Sequence, residues 1–307
     1  MKAPSAPAAG RFTEQRLWTA LAELCATVGV AHEGARLLRF TNNAVYRLAR
    51  DPIVVRIVGS RALRHRADKV VWFANRLADQ EVPATRLLPG IAQPVRVGEF
   101  VATFWLAESS LPGRARTTQL AALLRRLHAL PVLDSDGGKL PDWDPLADVR
   151  ARLADAEEGL ADAELRYLAE ECAELSAALA ELALPHRGSL VHGDAHLGNV
   201  INSAVGPVLC DFDSACLGPP EWDLTPLAVG VRRFGESRRG YRRFVHEYGF
   251  DVTDWNGFSV LRRVRELKLT TSVLPILRSK PEVTGELRRR LRDLRKGNDR
   301  AHWRRFR

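Results

Sequence analysis

Across 307 residues no apolar run approaches the roughly 18 residues that a bilayer-crossing helix needs, so nothing in the sequence predicts a membrane span. Cysteine is sparse: Cys25, Cys172, Cys210 and Cys216 are scattered without a CxxC pair. That argues against a zinc cage or a disulfide framework and points to a reducing compartment, the cytoplasm. There is no internal repeat and no long low-complexity segment, which leaves repeat architectures out. The opening MKAPSAPAAG lacks an apolar core segment, so residues 1–12 are expected to be a disordered leader, neither signal peptide nor anchor.

With 46% hydrophobic and 27% charged residues, the chain is long enough for two lobes, each with its own core. The net charge of +9 raises the question of nucleic-acid binding, and its distribution answers it. Residues 286–307 hold ten Arg or Lys against Glu286, Asp293 and Asp299, so most of the excess lies in a C-terminal helix and tail. A terminal basic run of this kind is ordinarily solvated, and nucleic acid is not the expected partner.

Leu17, Trp18, Leu21, Leu24, Cys25 and Val28 share one helical face over residues 13–29, with Thr13 as a cap and Gly29 as a stop. Three apolar runs follow, Ala35 to Phe40, Ala44 to Ala49 and Pro52 to Val58, and read as antiparallel strands. A helix is predicted over 62–80, then a hairpin of Pro94 to Val97 and Phe100 to Trp105 around Gly98-Glu99. These elements make a small lobe over 13–106. Beyond it, over 107–307, helical spacing prevails, with a break near Gly159. The stretch Leu190 to Asp223 departs from it, alternating short apolar runs with His, Asp, Asn and Gly.

That stretch carries the chemistry. In His192-Gly193-Asp194-Ala195-His196-Leu197-Gly198-Asn199 an Asp precedes an Asn by five positions, the spacing of a kinase catalytic loop. The apolar Val208-Leu209-Cys210 then leads into Asp211-Phe212-Asp213. Phosphoryl transfer needs hard oxygen ligands for a metal and one carboxylate to orient the attacking hydroxyl, which assigns Asn199 and Asp211 to metal and Asp194 to the acceptor. Taken singly, each residue would more simply cap a helix or make an Asx-turn; the ordered set does not reduce to that. An H-x-D-x-H metallohydrolase centre from His192, Asp194 and His196 lacks companion ligands.

The segments LVHGDAHLGNVI and VLCDFDSACLGPPEWDL resemble the aminoglycoside phosphotransferase and choline kinase superfamily, the likeness running from about Ala35 to Ala228. The resemblance implies an α+β, bilobal protein-kinase-like fold, with a small antiparallel-sheet N-lobe that binds nucleotide and a mostly helical C-lobe that binds the acceptor. It implies Mg-ATP as donor, GTP remaining open, and a small-molecule hydroxyl as acceptor. It also implies Asp194 as catalytic residue, Asn199 and Asp211 as Mg2+ ligands, Asp223 as a buried carboxylate bracing the loop, and His192 as structural. Asp213 is open between a second metal and a turn cap, with capping favoured. His196 is open between facing the acceptor and packing, with packing favoured.

In the first lobe the run Ile53-Val54-Val55-Arg56 stands where the kinase pattern ends on a lysine, so Arg56 is assigned to the phosphates. Thr41, Asn42 and Asn43 replace a Gly-rich loop and are expected to meet phosphates through backbone N–H groups. Phe104, Trp105 and Leu106 are the expected hinge against the base. The missing Gly-rich loop is one departure from the kinase pattern, and the following helix gives another. No Glu lies between Arg61 and Gln80 to pair with the basic residue, leaving Asp68 as nearest candidate, and Arg replaces Lys; together they motivate the alternative of an inactive kinase-like scaffold. Arg262, Arg263, Arg265 and Lys268 on a later helix, with Glu266, disfavour a highly cationic acceptor.

Overall fold

The computed structural model describes residues 14–40, 43–58, 64–136, 138–154, 160–186, 188–277 and 280–306. The expected leader, the Thr13 cap, Thr41 and Asn42 lie outside the described residues. The chain folds as two compact units, Met1–Gly113 with Ile201–Asp213, and Arg114–Val200 with Ser214–Arg307.

The first unit opens with α1 (Glu14–Val28), which ends at Gly29 in the left-handed region (φ 74°), as the stop signal predicts. β1 (Arg36–Phe40), β2 (Asn43–Arg47) and β3 (Ile53–Val58) follow, then α2 (Arg66–Asp79), β4 (Val95–Val97) and β5 (Phe100–Leu106). The five strands form one antiparallel sheet in the order β1-β2-β3-β5-β4. Period-2 alternation sorts the side chains of β3: Ile53, Val55 and Ile57 enter the core beside Leu17, Leu21 and Leu24 of α1, and Val54 and Arg56 take the other face. Each such buried aliphatic side chain contributes about 1.5–3 kcal/mol relative to exposure.

The sequence reading assigns all of 107–307 to the helical lobe, and here the structure differs. Residues 201–213, which carry Asp211 and Asp213, fold with the first unit. The reason is backbone pairing. β7 (Val200–Ser203) and β8 (Gly206–Leu209) form a two-stranded sheet. The Thr85 N–H donates to the Leu209 carbonyl (2.8 Å), the Leu209 N–H to Pro83 (3.0 Å), the Leu111 N–H to Asn202 (2.7 Å) and the Ala204 N–H to Ser109 (3.0 Å). These bonds between distant segments are invisible to local periodicity.

The second unit contains α3 (Thr117–His128), α4 (Ala147–Ala154), α5 (Asp162–Ala180), α6 (Pro220–Phe234), α7 (Arg238–Tyr248), α8 (Phe258–Thr271) and α9 (Thr284–Arg295). A short antiparallel pair, β6 (Ser189–Val191) with β9 (Cys216–Gly218), lies among them. Val149, Leu168, Leu175, Trp222, Leu261, Val264, Leu267 and Leu287 form its main core. Among the described residues no helix is long and apolar enough to cross a membrane.

In the basic C-terminal stretch Arg288, Arg292, Arg295, Lys296, Arg300, Arg304 and Arg305 are exposed, as a solvated run would be, and Arg290 departs from them. Arg290 is almost fully buried, its guanidinium 3.8 Å from the Phe306 ring centroid and 5.0 Å from that of Trp303. Arg233 forks onto Glu266 (Nε to Oε1 2.7 Å, an η nitrogen to Oε2 2.9 Å) and lies under the Trp303 ring at 4.4 Å. Burial of these cations is tolerable because carboxylates and π faces replace water. Trp303, whose Nε1 donates to Asp293 at 3.0 Å, fastens the tail. Trp303→Phe is expected to lower unfolding free energy by about 1–2 kcal/mol in urea titration, from one lost hydrogen bond and a smaller buried ring.

Candidate active site

In the first unit the site begins with the strand register. Val45 of β2 and Thr103 of β5 flank Arg56, and Trp105 lies opposite Val54. Pairing in β1 slips between Leu37 and Arg39, and both Leu38 and Arg39 line a cavity of about 240 Å³ with Val54, Arg56, Trp105 and Asp211. Phe212 forms another wall, packed edge-on against Phe73 at 5.4 Å and tilted on Trp105 at 6.1 Å. Asp211 follows the end of β8 with φ 69°, a left-handed conformation that aspartate tolerates better than most residues.

Arg56 is engaged by both carboxylates of the Asp211-Phe212-Asp213 turn. An η nitrogen lies 3.0 Å from Asp211 Oδ1 and also pairs with Asp213 Oδ2. Burial alone would lower the Arg56 pKa, yet the charges of Asp213 and Asp211 outweigh it and hold the guanidinium above its ordinary value. Asp213 shows the converse: burial would raise it, and Arg56 pulls it below the usual carboxylate value. Of the two readings left open for Asp213, the geometry shows a third use, since its carboxylate goes to Arg56 and to Asn43 Nδ2 (2.9 Å). Asn43 therefore meets Asp213 through its side chain. Asp68, the candidate partner of Arg56, instead pairs with Arg96 at 2.7 Å, exposed; its neighbour Lys69 donates to the Asp213 carbonyl at 2.6 Å. On a helix adjacent residues point about 100° apart, which is why Lys69 reaches the turn and Asp68 does not.

The three expected hinge residues divide. Trp105 and Leu106 line the cavity, while Phe104 is fully buried in the core. The Phe104 N–H donates to Gln93 Oε1 (2.7 Å) and the Leu106 N–H to the Arg86 carbonyl (2.8 Å), so both donors are already satisfied within the unit.

In the second unit, Asp223 organises the loop after β6. It sits in the first turn of α6, where a helix N-terminus favours negative charge. Its Oδ2 accepts from the His192 N–H (2.6 Å), its Oδ1 from the Gly193 N–H (2.8 Å), and His128 Nε2 lies 3.1 Å from Oδ2. The Trp222 indole donates to the Gly193 carbonyl at 2.9 Å. Gly193 has φ 78°, and a Cβ there would stand 1.9 Å from the Ser214 carbonyl oxygen, so the loop closes only on glycine. His192 is fully buried.

Asp194 emerges from this frame with its carboxylate about one third exposed. Asn199 Nδ2 donates to the Asp194 carbonyl at 3.0 Å, which leaves the amide oxygen as the acceptor end of Asn199. His196 Nδ1 accepts from the Gly198 N–H (2.9 Å), capping the short turn, and its Nε2 lies 3.7 Å from Asp194 Oδ2. An η nitrogen of Arg265, on α8, lies 2.7 Å from Asp194 Oδ1. Burial would raise the Asp194 pKa; Arg265 first, then His196 and Lys268, override it and hold the carboxyl well below its ordinary range. Sequence reasoning recorded Arg265 only among the helix cations, because nothing local links α8 to the loop. Arg39, Lys69, His128 and Trp222 were likewise not assigned.

Among the described residues, no group of three or more His, Cys, Asp or Glu could hold a metal ion alone. Mg2+ does not require such a cage: it is ordinarily bound by one or two carboxylates, waters and substrate phosphates. In the first unit Asp211 offers a hard carboxylate oxygen on the cavity wall, and in the second Asn199 offers an amide oxygen; each is a donor type that Mg2+ takes.

Residues 36–266 match the sequence model of the phosphotransferase enzyme family. Solved structures resemble the chain over most of its length. A choline kinase from Streptococcus pneumoniae is 14% identical, covering 92% of this chain and 98% of its own, with a TM-score of 0.63. An aminoglycoside phosphotransferase from Streptomyces rimosus is 20% identical, covering 83% and 99%, with a TM-score of 0.56. An amicoumacin kinase in complex with AMP-PNP and Ca2+ is 14% identical, covering 96% of each chain, with a TM-score of 0.64. The fold class expected from sequence, an antiparallel-sheet N-terminal part and a helical C-terminal part, is the one these proteins share. Comparison with curated protein sequences finds no match to this chain.

Proposed function

The chain belongs to the phosphotransferase enzyme family, and on that footing we propose that it transfers the γ-phosphate of Mg-ATP to a hydroxyl group of a small-molecule acceptor. The observation that carries the reading is Asp194: a partly exposed carboxylate, kept ionised, on a loop fixed by Asp223 and Asn199. A carboxylate so placed accepts a hydrogen bond from an alcohol and orients its oxygen for in-line attack.

The cavity walled by Arg56, Trp105 and Asp211 is the nucleotide site in this proposal. Its apolar wall suits a base, and Arg56 and Arg39 suit phosphate oxygens. The AMP-PNP in the similar amicoumacin kinase supports an adenine nucleotide as donor. Asp211 and Asn199 are the residues that would hold Mg2+, which when bound neutralises charge on the phosphate oxygens. The cysteines are all free thiols, in keeping with a cytoplasmic enzyme.

Arginine in place of lysine, and a helix without Glu, raised the reading of an inactive scaffold. The ion pairs favour the active reading, because Arg56 draws its partners from the Asp211-Phe212-Asp213 turn instead of from α2. Arg56→Gln is expected to raise the KM for ATP on the order of tenfold or more, and Arg56→Lys less, because lysine keeps the charge and loses the fork. Steady-state kinetics with nucleotide varied at saturating acceptor checks this.

The test of the function is transfer of label from γ-labelled ATP, and in parallel GTP, to a pooled panel of hydroxyl compounds with Mg2+, run beside Asp194→Asn. Labelled product from the wild type alone is the expected result. Failure to bind either nucleotide would overturn the proposal.

A further inference from the structure

Resting on the transfer reading, the identity of the acceptor can be narrowed by the charges around Asp194. Arg265 approaches that carboxylate to 2.7 Å through one η nitrogen, its side chain only 7% exposed. Its Nε is buried with no hydrogen-bond partner. A buried guanidinium is costly unless its donors are used, and an unused one calls for an explanation. Holding Asp194 in place does not supply it, since that contact uses a single edge of a five-donor group.

Lys268 lies one turn further along α8, on the same face as Arg265. Its side chain is 14% exposed, and its Nζ is 3.5 Å from Asp148 Oδ2. Burial pulls its pKa down, with Asp148 and Asp194 restoring only part, so the ammonium is under-compensated where it stands. Arg152 adds a third cation, its η nitrogen donating to the Lys268 carbonyl at 3.3 Å. Arg265 and Lys268 thus face two carboxylates, Asp194 and Asp148, while Arg152 adds positive charge beside Lys268 and His196 lies close to Asp194. The surroundings of the acceptor-orienting carboxylate are positive even with both carboxylates ionised. A polycationic acceptor would meet repulsion there, and an anionic one attraction.

We propose that the acceptor carries an anionic oxygen group, a carboxylate or a phosphate, in addition to the hydroxyl that is phosphorylated, and that Arg265 and Lys268 recognise it. Arg265 is then a specificity residue: guanidinium donors that Asp194 does not use take the anion while the η nitrogen at 2.7 Å keeps Asp194 oriented. The choice of a fork-shaped cation suits a planar carboxylate or a phosphate face.

Matched acceptors test this, each offered with Mg-ATP: glycerol against glycerate and glycerol 3-phosphate, sorbitol against gluconate, and choline and kanamycin as cations. The expected result is kcat/KM about tenfold or more higher for anionic members than for their neutral counterparts, the scale of a charge-assisted hydrogen bond. Glycerate against glycerol 3-phosphate tells carboxylate from phosphate. Arg265→Gln should raise the KM for the anionic acceptor by a similar factor and leave the KM for ATP unchanged. Lys268→Gln, scored the same way, serves if Arg265→Gln does not fold. Phosphorylation of choline, kanamycin or the neutral alcohols as good as that of the anions would overturn the inference while leaving phosphotransfer standing. So would an Arg265→Gln effect confined to ATP. Nucleotide bound with no product from any series would count against both.

Discussion

Asp194→Asn is expected to lower kcat for phosphotransfer by about 10³-fold while leaving nucleotide affinity within a few-fold of the wild type. Asparagine keeps an oxygen opposite Arg265 and so avoids stranding a buried cation, which makes it a cleaner probe than alanine. Under the proposed function, what it removes is the anionic acceptor for the substrate hydroxyl. Arg265, His196 and Lys268 hold the Asp194 carboxyl well below 3.8, so it is ionised throughout the working pH range. In the proposed reaction a base that weak would contribute mainly by aiming the alcohol and by taking its proton late, as a loose phosphoryl-transfer transition state permits. The sign of the shift also sets the pH dependence: a lowered carboxylate pKa means loss of function only on strong acidification. The kcat profile of the wild type between pH 5.5 and 8 should therefore show no acid limb belonging to Asp194. A limb near pH 6 that disappears in Asp194→Asn would contradict this.

Asp223→Ala should destabilise the protein by about 3–5 kcal/mol, measured by denaturant unfolding, and depress kcat in whatever fraction remains folded. Asp223 is 1% exposed and serves three partners at once, the His192 and Gly193 N–H groups and His128. Truncation leaves two buried backbone donors without acceptors, each costing about 1–3 kcal/mol. The loop has no other way to satisfy them, because Gly193 is already in a conformation closed to other residues and pressed against Ser214. Asp223→Asn retains one acceptor oxygen and should fall between wild type and alanine. Equal stability of wild type and Asp223→Ala would show that the loop is held by Trp222 and the β6–β9 pairing instead.

The sequence by itself determined the strands of the five-stranded sheet, because β-branched runs with period-2 alternation need only their own residues to declare a face, as Ile53 to Val58 do. It also carried the order of Asp194, Asn199, Asp211 and Asp223, since a loop whose backbone N–H groups need a carboxylate cap is written at short spacing. Tertiary structure alone decided which charges meet. Asp68 and Lys69 are neighbours in the chain, yet Lys69 reaches the turn at Asp213 and Asp68 turns to Arg96. Residues 201–213 join the first unit through backbone bonds to Pro83, Thr85, Ser109 and Leu111 that no pattern in either segment announces. Arg265 looks like any helix cation until α8 packs and sets it against Asp194. Ion pairs and ladder bonds between distant segments carry no local periodicity; they exist only once apolar burial has brought the elements together, and that is where the electrostatics of this site was decided.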